Sequence, residues 1–285
     1  MLAAKHIIII AVAGLATAAG LAVQNEAKLR SLSGRETKTL TIKGSYLSQD
    51  QLPDSLALLP PPPVPGSSAM QQDEAVRQLA LALVGTPRYA LAISDANRGS
   101  PQTVEAFSCA FGTDINNKQT PTLYQLLVRL RIDARRTSYR AKQLYNRPQP
   151  FVVHHSRPCS PTDDQLTRME GSYPSARSAV GWAYGLVLAE LNPARAREII
   201  DRAREFGKSR VICDVQWQSD VDAGFVVGAA TVAQAKKNSA FRADFNAARA
   251  EIASAIASGQ GPQANCAAES RALALGKSTM RSAAR

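Results

Sequence analysis

The chain has 285 residues, 45% of them hydrophobic and 20% charged, the balance of a folded protein with one large domain or two small ones. Its 34 Lys plus Arg outnumber 23 Asp plus Glu, for a formal charge of +11. Three histidines and four cysteines argue against dense metal sites and zinc-finger arrays. No interior apolar run approaches the roughly 20 residues of a spanning helix, which argues against a multi-pass membrane protein. The basic residues are scattered among acids, as over 194–210, and aromatics are only 6%. That pattern reads as a basic surface and gives no ground for a nucleic-acid partner.

In chain order, residues 1–22 combine Lys5 with an apolar run broken by Thr17 and followed by small residues. This is the pattern of a secretory signal, with Ala18 or Ala22 ending the cleavage site, and it predicts a periplasmic or secreted protein with no membrane span after its removal. Residues 23–65 read as a loosely held N-terminal arm with a short strand at 39–43. The arm ends in Pro60, Pro61, Pro62 and Pro63, a stiff extended stretch that cannot be helical. From Asp73 the periodicity is helical throughout. Helices are expected from Asp73 to the stop at Gly85, then at 104–111, and along 121–145 with Leu123, Leu126, Leu127 and Leu130 on one face. Further helices are expected at 175–191, at 194–206 with Gly207 as terminator, at 220–235 and at 241–258. Residues 66–258 thus form an all-α helical bundle, and 259–285 a basic tail whose order is left open.

Three segments carry a resemblance. Lys142 precedes Gln149-Pro150; Pro174-Ser175-Ala176-Arg177 lies in GSYPSARSAVGWA; Ser209-Arg210, Gln216 and Asp220 lie in SRVICDVQWQSDVDA. Together with the DSLALLPPPPVP stretch they resemble the bacterial class A non-specific acid phosphatases, within the superfamily of type 2 phosphatidic acid phosphatases and vanadium haloperoxidases. The family pattern is K-x-x-x-x-x-x-R-P, P-S-G-H and S-R-x-x-x-x-x-H-x-x-x-D, and the likeness spans about residues 52–250. It implies that family's helical fold and hydrolysis of phosphate monoesters.

The resemblance further implies a histidine nucleophile at position 216, oriented by Asp220, and a histidine acid at position 177. Here those positions hold Gln216 and Arg177. An amide is a poor nucleophile, and a guanidinium has no proton to give near neutral pH. Gln149 replaces the family's arginine, and Ala176 its glycine. The remaining family phosphate contacts are Lys142, Ser175 and Arg210, so no catalytic residue is intact while phosphate or another oxyanion remains an expected ligand. No cofactor and no metal site are expected. The same likeness pairs Cys159 with Cys213, leaving the pairing of Cys109 and Cys266 open.

Other residues carry weaker signals. Arg140 with Arg147-Pro148 fits the first motif in a shifted register, but the residues around Lys142 and Gln149 match better. His154 and His155, the histidines left after signal removal, read as a loop pair rather than relocated catalysts. Trp182 and Trp217 read as core anchors, and Arg135 and Arg136 as part of an exposed helix face. The sequence thus predicts an exported, inactive acid-phosphatase-like protein that binds an oxyanion or a partner. The alternative is an active or weakly active acid phosphatase. Oligomeric state is left open, a homo-oligomer included.

Overall fold

In the computed structural model, residues 44–97, 99–159, 168–259 and 261–282 are described. They belong to the unit Thr41–Arg285; the signal segment and the strand expected at 39–43 lie outside them. Thirteen α-helices and two short 3-10 helices are delimited among the described residues, and no strand. Four short or medium helices come first: α1 (Ser55–Leu58), α2 (Ser68–Leu81), α3 (Pro87–Ala96) and α4 (Ser100–Glu105). They lead through α5 (Ser108–Phe111) to the long α6 (Pro121–Thr137), then α7 (Tyr139–Tyr145) and α8 (Pro150–Val153). The centre is built from α9 (Ala176–Leu191), α10 (Ala196–Ile212) and α11 (Gln218–Ala235). Two further helices, α12 (Ser239–Ala257) and α13 (Cys266–Ser282), complete the bundle.

Helix α9 is buried nearly all round, as its apolar composition demands. Glycines set how closely its neighbours approach. A Cβ on Gly224 of α11 would stand 2.5 Å from the Ser175 carbonyl, and one on Gly185 would stand 2.5 Å from the Ala203 Cβ of α10. The main core fills the remaining space with Leu123, Leu126, Leu127 and Leu130 of α6, Tyr184, Phe206 and Phe241.

The helix expected over 121–145 is broken at Ser138. There the Ala141 N–H turns out of the helical ladder to donate to Ser55 Oγ at 3.1 Å. The helix expected to stop at Gly207 instead runs to Ile212. Gly207 is there for contact, since a Cβ would sit 2.7 Å from the Phe225 ring.

The arm departs from its loosely held reading, whereas the order of the tail is open in the sequence. The arm is held from Ser45 onward, with Tyr46 and Leu47 buried. Their N–H groups donate to Asp133 at 2.9 and 3.3 Å, and Arg136 donates to the Leu47 carbonyl at 2.8 Å. Leu59, before the prolines, is also buried, and Tyr173 Oη donates to the Pro60 carbonyl at 2.8 Å. The basic tail is largely helix α13. A disulfide, Cys109–Cys266, joins it to α5, and Glu269 pairs with the buried Arg202 at 3.0 Å. The second disulfide is Cys159–Cys213. Among the described residues no helix is long and apolar enough to cross a membrane.

Candidate functional site

Helix α9 is capped by Ser175, whose side chain accepts from the Ser178 N–H at 3.2 Å. The open N–H groups of its first turn give that end partial positive charge. The end of α10 brings up Arg210, and the following loop brings up Gln216. That loop is fixed from three sides. Cys213 is in a disulfide, Asp214 takes a two-pronged ion pair from Arg77 at 2.6 and 2.9 Å, and Asp220 accepts the Trp217 N–H at 2.8 Å.

Between these elements, α6 and α7 lies a cavity of about 70 Å³. Lys142, Gln149, Arg177, Arg210 and Gln216 line it together with Ala176, Gly171 and Glu170. Lys142 is buried and donates to the Gly171 carbonyl at 2.5 Å. Burial, reinforced by Arg210 and Arg135 against the opposing pull of Asp220 and Glu170, pushes its pKa down to about 8. Gln149 Nε2 donates to the Glu170 carbonyl. Gln216 Nε2 donates to the Val215 carbonyl at 2.8 Å, which leaves its Oε1 buried with no hydrogen-bond partner.

Arg177 does not fill the cavity. Its guanidinium reaches the end of α3, where Nη2 donates to the Asp95 carbonyl at 2.6 Å and to the Asn97 carbonyl. Those are the open carbonyls of a helix C-terminus, where a cation is favoured. Ser175 and Asp220 lie behind the lining rather than in it. The Asp220 Oδ1 accepts from Arg147 at 2.7 Å, and burial pushes its pKa up to about 6 despite that pairing. Arg147 also binds Asp73 at 2.8 Å and takes no part in the cavity lining, so the shifted first-motif register has no support here.

Of the sequence-predicted residues, then, Lys142, Gln149, Ala176, Arg177, Arg210 and Gln216 meet at one cavity. Arg131 and Arg135 line it too and were missed. Arg135 is only partly exposed and Arg136 is buried, so the exposed-face reading of that pair is corrected. Their spacing was a usable signal: Arg131 and Arg135 are one helical turn apart, and so share a face. His154 lies outside the lining, exposed, with Nε2 2.9 Å from Glu74. Among the described residues no group of three His, Cys, Asp or Glu is placed to hold a metal ion.

Residues 126–242 match the model of the PAP2 superfamily. The chain is 40% identical over 209 residues to the non-specific acid phosphatase of Providencia stuartii, covering 73% of this chain and 84% of that protein. The chain belongs to the acid phosphatases of the PAP2 superfamily. The non-specific acid phosphatase of Salmonella typhimurium is 37% identical over 208 residues, covering 73% of this chain and 83% of that one. The acid phosphatase of Zymomonas mobilis is 36% identical over 213 residues, covering 73% and 79%. All three alignments take in most of each relative, so the acid-phosphatase scaffold is present nearly whole. Within it, this family member surrounds its cavity with two buried amides, Gln149 and Gln216, among cations.

Proposed function

We propose that this acid phosphatase homologue binds phosphate or a related oxyanion without hydrolysing its esters, in the periplasm or outside the cell. The observation that carries the proposal is Gln216. It stands where the family motif has its nucleophile, and its amide Nε2 is tied to the Val215 carbonyl. A neutral amide, its nitrogen lone pair delocalised into the carbonyl, is a poor nucleophile at phosphorus. Arg177, at the position of the family's acid, spends its donors on backbone carbonyls and has no transferable proton near neutral pH. Asp220 is committed to Arg147 and to the Trp217 N–H.

Two of the family's anion contacts remain at the cavity. Lys142 and Arg210 are buried cations, and the open N-terminus of α9 adds partial positive charge. Export is supported by the Lys-led apolar N-terminus and by the two disulfides, which form in oxidising compartments.

The test is a calorimetric phosphate titration of the purified protein, with a turnover assay beside it. Saturable phosphate binding without release of product from an aryl phosphate supports the proposal. Phosphate-inhibited turnover establishes the active enzyme instead.

A further inference from the structure

The cavity holds more positive charge than one oxyanion calls for. Arg131, Arg135, Lys142, Arg177 and Arg210 line it, with Glu170 as the one acid among the described lining residues. These groups are layered by depth. Lys142, Gln149, Arg210 and Gln216 are buried and form the floor. Arg131, Arg135 and Arg177 are partly exposed and Glu170 is exposed, so they form the rim.

The volume of about 70 Å³ is shared between floor and rim, and a phosphoryl group is the small anion that the buried floor cations suit. Anything attached to that group must pass the rim. There Arg131 and Arg135 project from one face of α6. Arg135 also lowers the pKa of Lys142, so floor and rim cations repel each other when no anion lies between them. A separate observation concerns the floor alone. The buried Gln216 Oε1 lines the floor with no hydrogen-bond partner, and it can only accept. A phosphoryl group that keeps one P–O–H supplies the donor it lacks. Inorganic phosphate keeps such a proton at neutral pH, and the terminal phosphoryl of a diphosphate ester, whose last pKa is about 6, keeps it chiefly below that pH, so this acceptor bears on the floor and not on the rim.

We propose that Arg131 and Arg135 form a second anion subsite at the rim, so that the site takes a diphosphate group, one phosphoryl on the floor and the other between these arginines. The proposal rests on the oxyanion reading of the floor.

The experiment is calorimetry on the full mature chain with inorganic phosphate and with methylenediphosphonate, which cannot be hydrolysed. Methylenediphosphonate is expected to bind at least about tenfold more tightly than phosphate, the scale of one charge-assisted hydrogen bond. Arg131→Gln with Arg135→Gln should abolish that advantage, affinity for methylenediphosphonate falling at least about tenfold more than affinity for phosphate. Arg131→Lys with Arg135→Lys should restore part of it, which separates charge recognition from a folding defect. Adenosine 5′-diphosphate separates the two sources of a diphosphate group. Affinity like that of methylenediphosphonate identifies an ester, weaker affinity identifies the free anion, and both support the subsite if the rim substitutions govern methylenediphosphonate. Equal affinity for phosphate and methylenediphosphonate, or equal loss of both in the glutamine variant, overturns the second subsite alone. Absence of binding by phosphate and methylenediphosphonate alike overturns the oxyanion reading beneath it.

Discussion

Arg147 and Asp220 form a buried ion pair, with Nη1 2.7 Å from Oδ1 and both side chains almost wholly excluded from solvent. The other end of the same guanidinium holds Asp73 at 2.8 Å, and Asp73 in turn accepts from Ser219 at the start of α11. One arginine therefore ties α2 and the segment before α8 to the helix that positions the site. Removing one partner from a buried pair strands the other charge, at about 3–5 kcal/mol. Arg147→Met is expected to lose about that much stability in urea denaturation. Phosphate affinity should also weaken, because the loop carrying Gln216 ends at this helix. A loss below about 1 kcal/mol would show that the pair holds nothing together.

The buried Lys142 gives the site a defined pH response. Its pKa in the empty cavity is about 8, depressed by burial first and by Arg210 and Arg135 next. The protonated form attracts anions, so affinity is steady below that pKa and falls as pH rises through it. The fall should approach tenfold per pH unit until the higher pKa of the bound state is reached. Sulfate is the suitable probe because it does not titrate in this range. Lys142→Met should bind sulfate weakly and without the break near pH 8.

Close approach of α9 and α11 at Gly224 fixes where Ser175 and its helix N-terminus stand. A methyl group there would meet the Ser175 carbonyl at 2.5 Å and the Ser178 Cβ at 2.9 Å. Backbone cannot step aside as a flexible side chain can. Gly224→Ala is expected to cost about 1–3 kcal/mol by overpacking, and to lower phosphate affinity as α9 shifts. Thermal denaturation and calorimetry read the two effects; an unchanged melting temperature would contradict the packing described here.

The Cys109–Cys266 disulfide spans 157 residues and anchors α13 over the buried Arg202. Loss of such a bridge typically costs about 2–5 kcal/mol. Cys109→Ser with Cys266→Ser should lower the melting temperature and raise amide exchange in α13 first. Uniform exchange across the bundle would mean that α13 is held by other contacts.

Much of this was readable from sequence. Apolar periodicity locates α6, α9, α11 and α12 because their faces are buried, and the three motif segments do converge on one cavity. The errors have local physical causes. Ser138 looks unremarkable in a helical run, and only Ser55, far away in the chain, draws the Ala141 N–H out of the ladder. Gly207 reads as a helix stop, since sequence does not reveal that Phe225 packs against it. Arg135 reads with Arg136 as part of an exposed face because cations on an amphipathic helix usually face solvent, and Arg131 lies outside the motif segments. Ser175 and Asp220 illustrate the converse: their motif positions are right, yet their side chains stabilise the wall from behind.

The most direct measurement is product release from an aryl phosphate by the purified protein, in series with Gln216→His, Arg177→His and the double variant. The account predicts no turnover above background for the parent chain. Gln216→His should give at most slow phosphorylation, since the aryl leaving group needs little protonation. The double variant should gain measurable turnover, limited by Gln149 and by the hold of Arg147 on Asp220. Robust turnover by the parent chain, abolished by His154→Ala, would contradict the account and identify a relocated catalytic histidine.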